Sequence, residues 1–405
     1  MIENKITFIT NAKIFDGVTV IDRHSVTIKG EKIINIDGPA PDGAEIINGS
    51  GCTLLPGLID SHVHTDMDGL HDALKFGITT ELEMMGHWSK RKRRQIAERK
   101  DIADLRSPGM GITPPGGHPT EYMAGNSNPF MKFLMKFYKF PYVNSPEEAV
   151  TFVDKQVAQG ADYIKIFIED GTLVGMPQMP TTPIPTIRAA VERAHHHGKL
   201  AIVHITTIDG AKQAIEAGVD GLAHMFFDRP HTPEIIDTIK KSGVFVIATM
   251  VVGSTAFGND AAWLAKDERV KSRLDKKWLE NLSRSMNCYP QGNMDYALAS
   301  LKALHEAGVE ILAGCDVSEP NPALGGLAHG ASLHHELQLL VKAGLTPIEA
   351  LRAATSVPAG RFGLTDRGRI VNGARADLLL VKGDPTINIS DTLSIKDVWR
   401  QGVRL

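Results

Sequence analysis

The chain opens on short runs in which apolar and polar residues alternate: KITFITNAKIF, SVTIKGEKIINI, AEIING and CTLLPG, with Gly, Asp or Asn between them. A period of two broken by turn residues predicts short half-buried strands over residues 1–53. The same texture returns over 362–405, in RIVNGARADLLLVKGDP and IKDVWRQGVRL. Between these ends the period changes. Short apolar runs alternate with amphipathic helical stretches, the pattern of βα units around a parallel sheet.

The apolar runs are TLLPGLID (53–60), GITTELEM (77–84), PGMGIT (108–113), DYIKIFI (162–168), LAIVHI (200–205), DGLAHM (220–225), VFVIATM (244–250) and EILAGCD (310–316). Stretches such as IPTIRAAVERAHHHG and MDYALASLKALHEAG follow most of them and end on a glycine suited to a helix C-cap. Eight strands with intervening helices predict an α/β chain: a (β/α)₈ barrel over 54–361, with a small β-sandwich domain formed by 1–53 and 362–405. Insertions at 114–150 and 251–295 follow the third and seventh strands, on the side where such barrels carry their active-site loops.

Candidate chemistry sits on these strands. His62 and His64 lie just past the first strand in DSHVHTD, two places apart, so both can reach one point. Lys165 stands within the fourth, His204 near the end of the fifth, His224 near the end of the sixth, and Asp316 closes the eighth. One histidine pair among 16 histidines means little; six metal-competent residues at matching strand positions predict a metal site. Lys165 is the informative member. With Ile164 and Ile166 directed at the helices, Lys165 and Phe167 point inward. A buried ammonium is costly and would repel a cation, whereas a neutral amine can take up carbon dioxide and become an anionic carbamate. That ligand bridges two divalent ions, for which the imidazole-rich set favours zinc.

At this point the chain resembles the amidohydrolase superfamily. LLPGLIDSHVHTD, the lysine of the fourth strand, the two later histidines, GCD and GARADLLLVKGDP carry the likeness over nearly the whole chain. It is most similar to the carboxylated-lysine branch, which includes Xaa-Pro dipeptidase-like and imidazolonepropionase-related enzymes. The resemblance implies His62 and His64 on the more buried metal, His204 and His224 on the more exposed one, Lys165 bridging, and Asp316 binding metal and serving as general base and acid. It implies hydrolysis of an amide or peptide-like bond of a dipeptide, N-acyl amino acid or cyclic amide by metal-bridging hydroxide. A lactonase or esterase using the same site is the alternative, and a non-catalytic assembly protein a remote one. The superfamily's mononuclear deaminases lack that lysine, and HITTIDG after His204 carries no HxxE glutamate. The GGH segment in TPPGGHPTEYM makes His118 a candidate for substrate binding. The stretch TLVGMPQMPTTPIPT lacks the tyrosine with which dipeptidase-like relatives bind substrate.

Composition narrows the rest. A net charge of −3 brings no general attraction to nucleic acid or anionic membrane, and no run approaches a membrane span. Cys52, Cys288 and Cys315 are isolated, as free thiols in a reducing compartment would be. A cytoplasmic enzyme with a small-molecule substrate, and a homo-oligomer by its aromatic insertion, is the expectation. The segment 128–142 within it reads as a lid or subunit contact, with the lining for a bulky apolar or aromatic substrate and membrane-surface contact as alternatives. The basic run 89–100 reads as a solvated helix face, and HHH at 195–197 as a helix terminus whose partial charge suits the macrodipole.

Overall fold

The computed structural model describes residues 5–121 and 140–405. The aromatic insertion lies outside the described residues up to residue 139. The alternating segments at the two ends form two sheets. Strands β1 (Ile6–Thr10), β2 (Lys13–Phe15), β3 (Val20–Ile21), β4 (Ser25–Lys29), β5 (Lys32–Ile36), β6 (Glu45–Asn48) and β7 (Cys52–Pro56) come from the N-terminal side. The order β5-β4-β1-β6 makes one sheet, while β2, β3 and β7 pair into another with strands from the far end of the chain. Ile9, Ile14, Val26, Ile28, Leu54, Leu378 and Trp399 fill one shared core, so residues hundreds of positions apart bury one another.

Eight parallel strands follow: β8 (Leu58–Val63), β9 (Ile78–Glu83), β10 (Asp104–Arg106), β11 (Ile164–Phe167), β12 (Ala201–His204), β13 (Gly221–Ala223), β14 (Phe245–Ile247) and β15 (Ile311–Leu312). They pair in the orders β10-β9-β8 and β11-β12-β13-β14-β15. Parallel bridges Val63↔Val317 and Ile112↔Ile166 join the two sets at both edges, so the pairing returns to its start. Strands β16 (Leu378–Lys382), β17 (Ile395–Arg400) and β18 (Val403–Arg404) complete the six-stranded order β18-β17-β16-β7-β2-β3.

Two strand expectations need correction. The run 53–60 is not one strand: Cys52–Pro56 belongs to the terminal sheet and Leu58–Val63 to the parallel set. The break falls at Gly57, where a Cβ would strike the Thr79 side chain. His62 therefore lies inside its strand and His64 just beyond it. The third parallel strand is Asp104–Arg106, upstream of the expected 108–113, which contributes one bridge at Ile112. Pro108 lacks an N–H, and Gly109 turns at φ 72° while the Gly109 and Met110 N–H groups go to the Ser107 and Gln156 side chains.

Helices pack outside this ring on the apolar side chains that the strands direct outward. Those the site depends on are α1 (Met67–Lys75), α2 (Lys90–Glu98), α3 (Pro146–Ala158), α4 (Ile184–His196), α5 (Ile208–Glu216), α6 (Pro233–Ser242) and α7 (Met250–Ala256). Ile164, Ile166, Val203 and Val246 join the large core with helix residues such as Val153, Ile187 and Ala190. Ile59, Leu82, Tyr163, Ile202, Phe245, Ile247 and Leu312 form a separate cluster with Ala359 and Leu364. Tyr163 and Ile164 thus join different cores, and the alternation carries Lys165 and Phe167 to the Tyr163 side. Among the described residues no helix is long and apolar enough to cross a membrane.

Candidate metal centre

The histidines converge because each stands at or just past the C-terminal end of a parallel strand, where the chain turns toward its helix. Donor atoms of His62, His64 and Asp316 lie within 4.8 Å of one another. His62 Nε2 and His64 Nε2 approach Asp316 Oδ1 at 3.1 and 3.3 Å, and His224 Nε2 is 3.8 Å from Oδ2. The His62 and His224 ring centres are 4.5 Å apart, and those of His224 and His204 are 4.6 Å apart. The structure therefore brings all four imidazoles and Asp316 into one chain of contacts.

The outer ring nitrogens of three of the four are engaged, while His62 Nδ1 is buried with no hydrogen-bond partner among the described residues. His224 Nδ1 meets Thr249 Oγ1 at 2.7 Å, His204 Nε2 meets Glu169 Oε2 at 3.1 Å, and His64 Nδ1 points at the Met85 carbonyl at 3.4 Å. A carbonyl or carboxylate only accepts, so His64 Nδ1 and His204 Nε2 donate. In a neutral ring that turns the His64 Nε2 lone pair toward an oxygen of Asp316, although burial, which would lower His64, is outweighed by the Asp316 carboxylate, which raises it and favours a proton there. Two lone pairs at that separation repel unless a proton or cation lies between them, and this geometry fits a bound cation.

Lys165 has no exposed surface, and its Nζ has no hydrogen-bond partner among the described residues. It stands 5.2 Å from the centre of the Phe167 ring. Burial brings its ammonium down to about 7, against a smaller upward pull from Asp316. Burial lowers His62 to about 4 against the opposing pull of Asp316, with the Lys165 charge a further downward influence. Burial also carries His204 and His224 well below their usual range. Burial alone would raise Asp316, but His62, His64 and His224 outweigh it and hold the carboxylate well below its usual range.

His118 is drawn into the same cleft. Its ring stacks on His204 at 4.5 Å, and its Nδ1 pairs with Glu121 at 2.5 Å. Asp60 lies beneath the cluster, where its Oδ1 accepts from the His62 N–H and its Oδ2 from the Cys315 thiol at 2.7 Å. Cys315 is thus engaged away from Asp316. Sequence reasoning missed Glu169 and Thr249. Glu169 continues the inward alternation 165, 167, 169, a signal that was available. Thr249 carried none, because only the fold places it against His224.

A family model, the amidohydrolase family, matches residues 53–405. Among relatives, an imidazolonepropionase of Anaeromyxobacter sp. (strain K) is 24% identical over 382 residues, 84% of this chain and 77% of its own. An imidazolonepropionase of Deinococcus deserti is 36% identical over 108 residues, and an adenine deaminase of Methylobacterium nodulans is 29% identical over 135. Those two matches span only about a quarter of the relatives' own length, 26% and 23%, and 26% and 33% of this chain. A crystal structure of a Xaa-Pro dipeptidase with methionine in its active site superposes with a TM-score of 0.76 at 24% identity, covering 99% of this chain and 100% of that one. Phenylurea hydrolase B gives 0.75 at 19%, covering 99% and 97%. These likenesses place the fold in the TIM-barrel type. With its family model spanning residues 53–405, the chain belongs to the amidohydrolase family.

Proposed function

We propose that this chain is a binuclear metal-dependent hydrolase that cleaves an amide or peptide-like C–N bond, on a closed (β/α)₈ barrel flanked by a composite β-sandwich. The observation that carries this reading is Lys165, a fully buried amine with no hydrogen-bond partner among the described residues, beside four imidazoles and a carboxylate. An ammonium there has little to offset its desolvation. The neutral amine takes up carbon dioxide, its nitrogen bonding to carbon and releasing one proton, and the product is a carboxylate. His62, His64, His204, His224, Asp316 and that carbamate would hold two divalent ions, with zinc favoured by the donor set. Such ions, when bound, supply an acidic water and polarise a carbonyl.

The protein's own groups do the remainder. Asp316, held ionised, takes a proton from the attacking water and returns it to the leaving nitrogen. Glu169 accepts from His204 and holds it in one tautomer, and the Thr249 hydroxyl orients the His224 ring. His118, stacked on His204, is positioned to hold the substrate's oxygen. Relatives named imidazolonepropionase, adenine deaminase, Xaa-Pro dipeptidase and phenylurea hydrolase support a C–N bond as the target. Lys165 and the sequence after His204, Ile205-Thr206-Thr207 with no glutamate, weigh against a mononuclear deaminase.

The test is metal content together with turnover on dipeptides and N-acyl amino acids. About two ions per chain are expected in the native protein. Lys165→Ala should hold about one or fewer and lose at least about a thousandfold in kcat/KM. Well under one ion per chain, together with unchanged activity in Lys165→Ala, would sink the proposal.

A further inference from the structure

Beside His64 the structure opens a cavity of about 360 Å³ that the reaction chemistry above does not use. Glu83, the last residue of β9, lines it and is only 1% exposed. The Ser107 and Trp88 side chains donate to its carboxylate, yet Oε2 has no hydrogen-bond partner among the described residues. A buried carboxylate oxygen with unused lone pairs is destabilising unless a donor reaches it. Gly86 leaves the room for it, since a Cβ there would strike both the carboxylate carbon and its oxygens.

Much of the rest of the lining has matching character, although His87 and His329 also border it, His329 with its Nδ1 3.4 Å from the Glu81 carboxylate. Asp66, Asp68 and Glu319 are exposed at the rim, and the indoles of Trp88 and Trp278 form walls. Lys277 also reaches the rim, but Asp275 faces it at 3.5 Å. Carboxylates and indole faces around one buried acceptor make a setting that favours a cation over a neutral or anionic group.

We propose that this cavity is the subsite for a cationic group of the substrate, an ammonium or guanidinium, and that Glu83 selects it. The proposal rests on the amide-hydrolase reading for what lies at its other end. Because His64 borders the cavity, a substrate anchored there by its cation extends into the cluster of imidazoles and Asp316.

Binding to the zinc-loaded full chain tests the subsite by calorimetry with two matched pairs. N-acetyl-L-lysinamide and N-acetyl-L-norleucinamide differ by a side-chain ammonium; L-leucinamide and N-formyl-L-leucinamide differ at the α-amine. In at least one pair the cationic member should bind at least about tenfold tighter. Glu83→Gln should remove that preference, and Asp68→Asn, at the exposed rim, should reduce it by about two- to threefold. No preference in either pair, a preference surviving Glu83→Gln, or tighter binding of N-acetyl-L-glutamate through Lys277 would each overturn the subsite. Hydrolysis of dipeptides separates the two readings. Cation preference without any hydrolysis refutes the amide reading alone, and hydrolysis without cation preference refutes the subsite alone.

Discussion

His224 stands at φ 85°, Thr249 at 45° and Asp316 at 51°, backbone angles that residues with a Cβ adopt at a cost. All three follow the ends of parallel strands and meet in the metal-competent cluster, so the strain is concentrated where side chains must leave their strands in unusual directions. Thr249 holds this arrangement through its hydroxyl on His224 Nδ1. Thr249→Val keeps the branched shape and removes that oxygen. It should weaken zinc affinity by about 10–100-fold, read by competition with a chromophoric chelator, while the melting temperature moves little. Unchanged affinity would mean that packing alone orients the His224 ring.

At the scale of elements, one helix holds the start of another. Helices α8 (Ala262–Lys266), α9 (Glu268–Lys271), α10 (Lys276–Leu282), α11 (Met294–Glu306) and α12 (Ala331–Ala343) follow α7 in the chain. Glu336 on α12 is fully buried, and its two oxygens accept from the Met250 and Val251 N–H groups at 3.0 and 2.9 Å. These are the first amides of α7, which directly follows Thr249. They have no partner within their own helix, so Glu336 serves as a cap delivered from a distance. Burial pushes the Glu336 carboxyl up to about 8 against the downward influence of those two donors. Glu336→Ala leaves both amides unsatisfied and should cost about 2–4 kcal/mol in chemical denaturation. Glu336→Gln keeps one acceptor and should cost roughly half of that. A loss below about 0.5 kcal/mol for the alanine variant would show that water replaces the cap.

Across the whole molecule, a buried charge network joins the terminal segments to the parallel strands. Asp104, in β10 and 1% exposed, is approached by Arg367, by Arg375 at 3.4 Å, by Arg106 at 3.6 Å and by Arg400 at 3.8 Å. Arg400, itself fully buried, also reaches Asp377 at 3.3 Å. Burial works against the charge on Asp104, but the arginines outweigh it and hold the carboxyl well below its usual range. A carboxylate depressed in this way contributes stability that is complete above its unfolded value near 3.9 and is lost as pH falls through and below that point. Thermal unfolding followed from pH 7 to pH 3 should therefore show stability declining once the pH drops under about 4. Asp104→Asn strands several arginines and should cost about 3–5 kcal/mol at pH 7, with a shallower decline in acid. Equal slopes for the two proteins would remove Asp104 from the acid response.

Much of this was legible along the chain. Period-two ends, apolar runs alternating with helices, and His62, His64, Lys165, His204, His224 and Asp316 at strand ends follow from local patterning, because strand and helix periods are properties of neighbouring residues. The inward direction of Lys165 was readable for the same reason. Other features were not. The break at Gly57 depends on contact with Thr79, and the displaced third strand depends on Gln156 taking the Met110 amide. Thr249 against His224, Glu336 beneath α7, and the Asp104 network each pair residues 25 to 296 positions apart. By itself the sequence determined which residues are candidates for a metal site and which faces of their strands they occupy. Only the tertiary structure decided what each outer ring nitrogen meets and where Glu83 stands. It also decided what closes over them, since hydrogen-bond geometry and burial are set by contacts that no local period encodes.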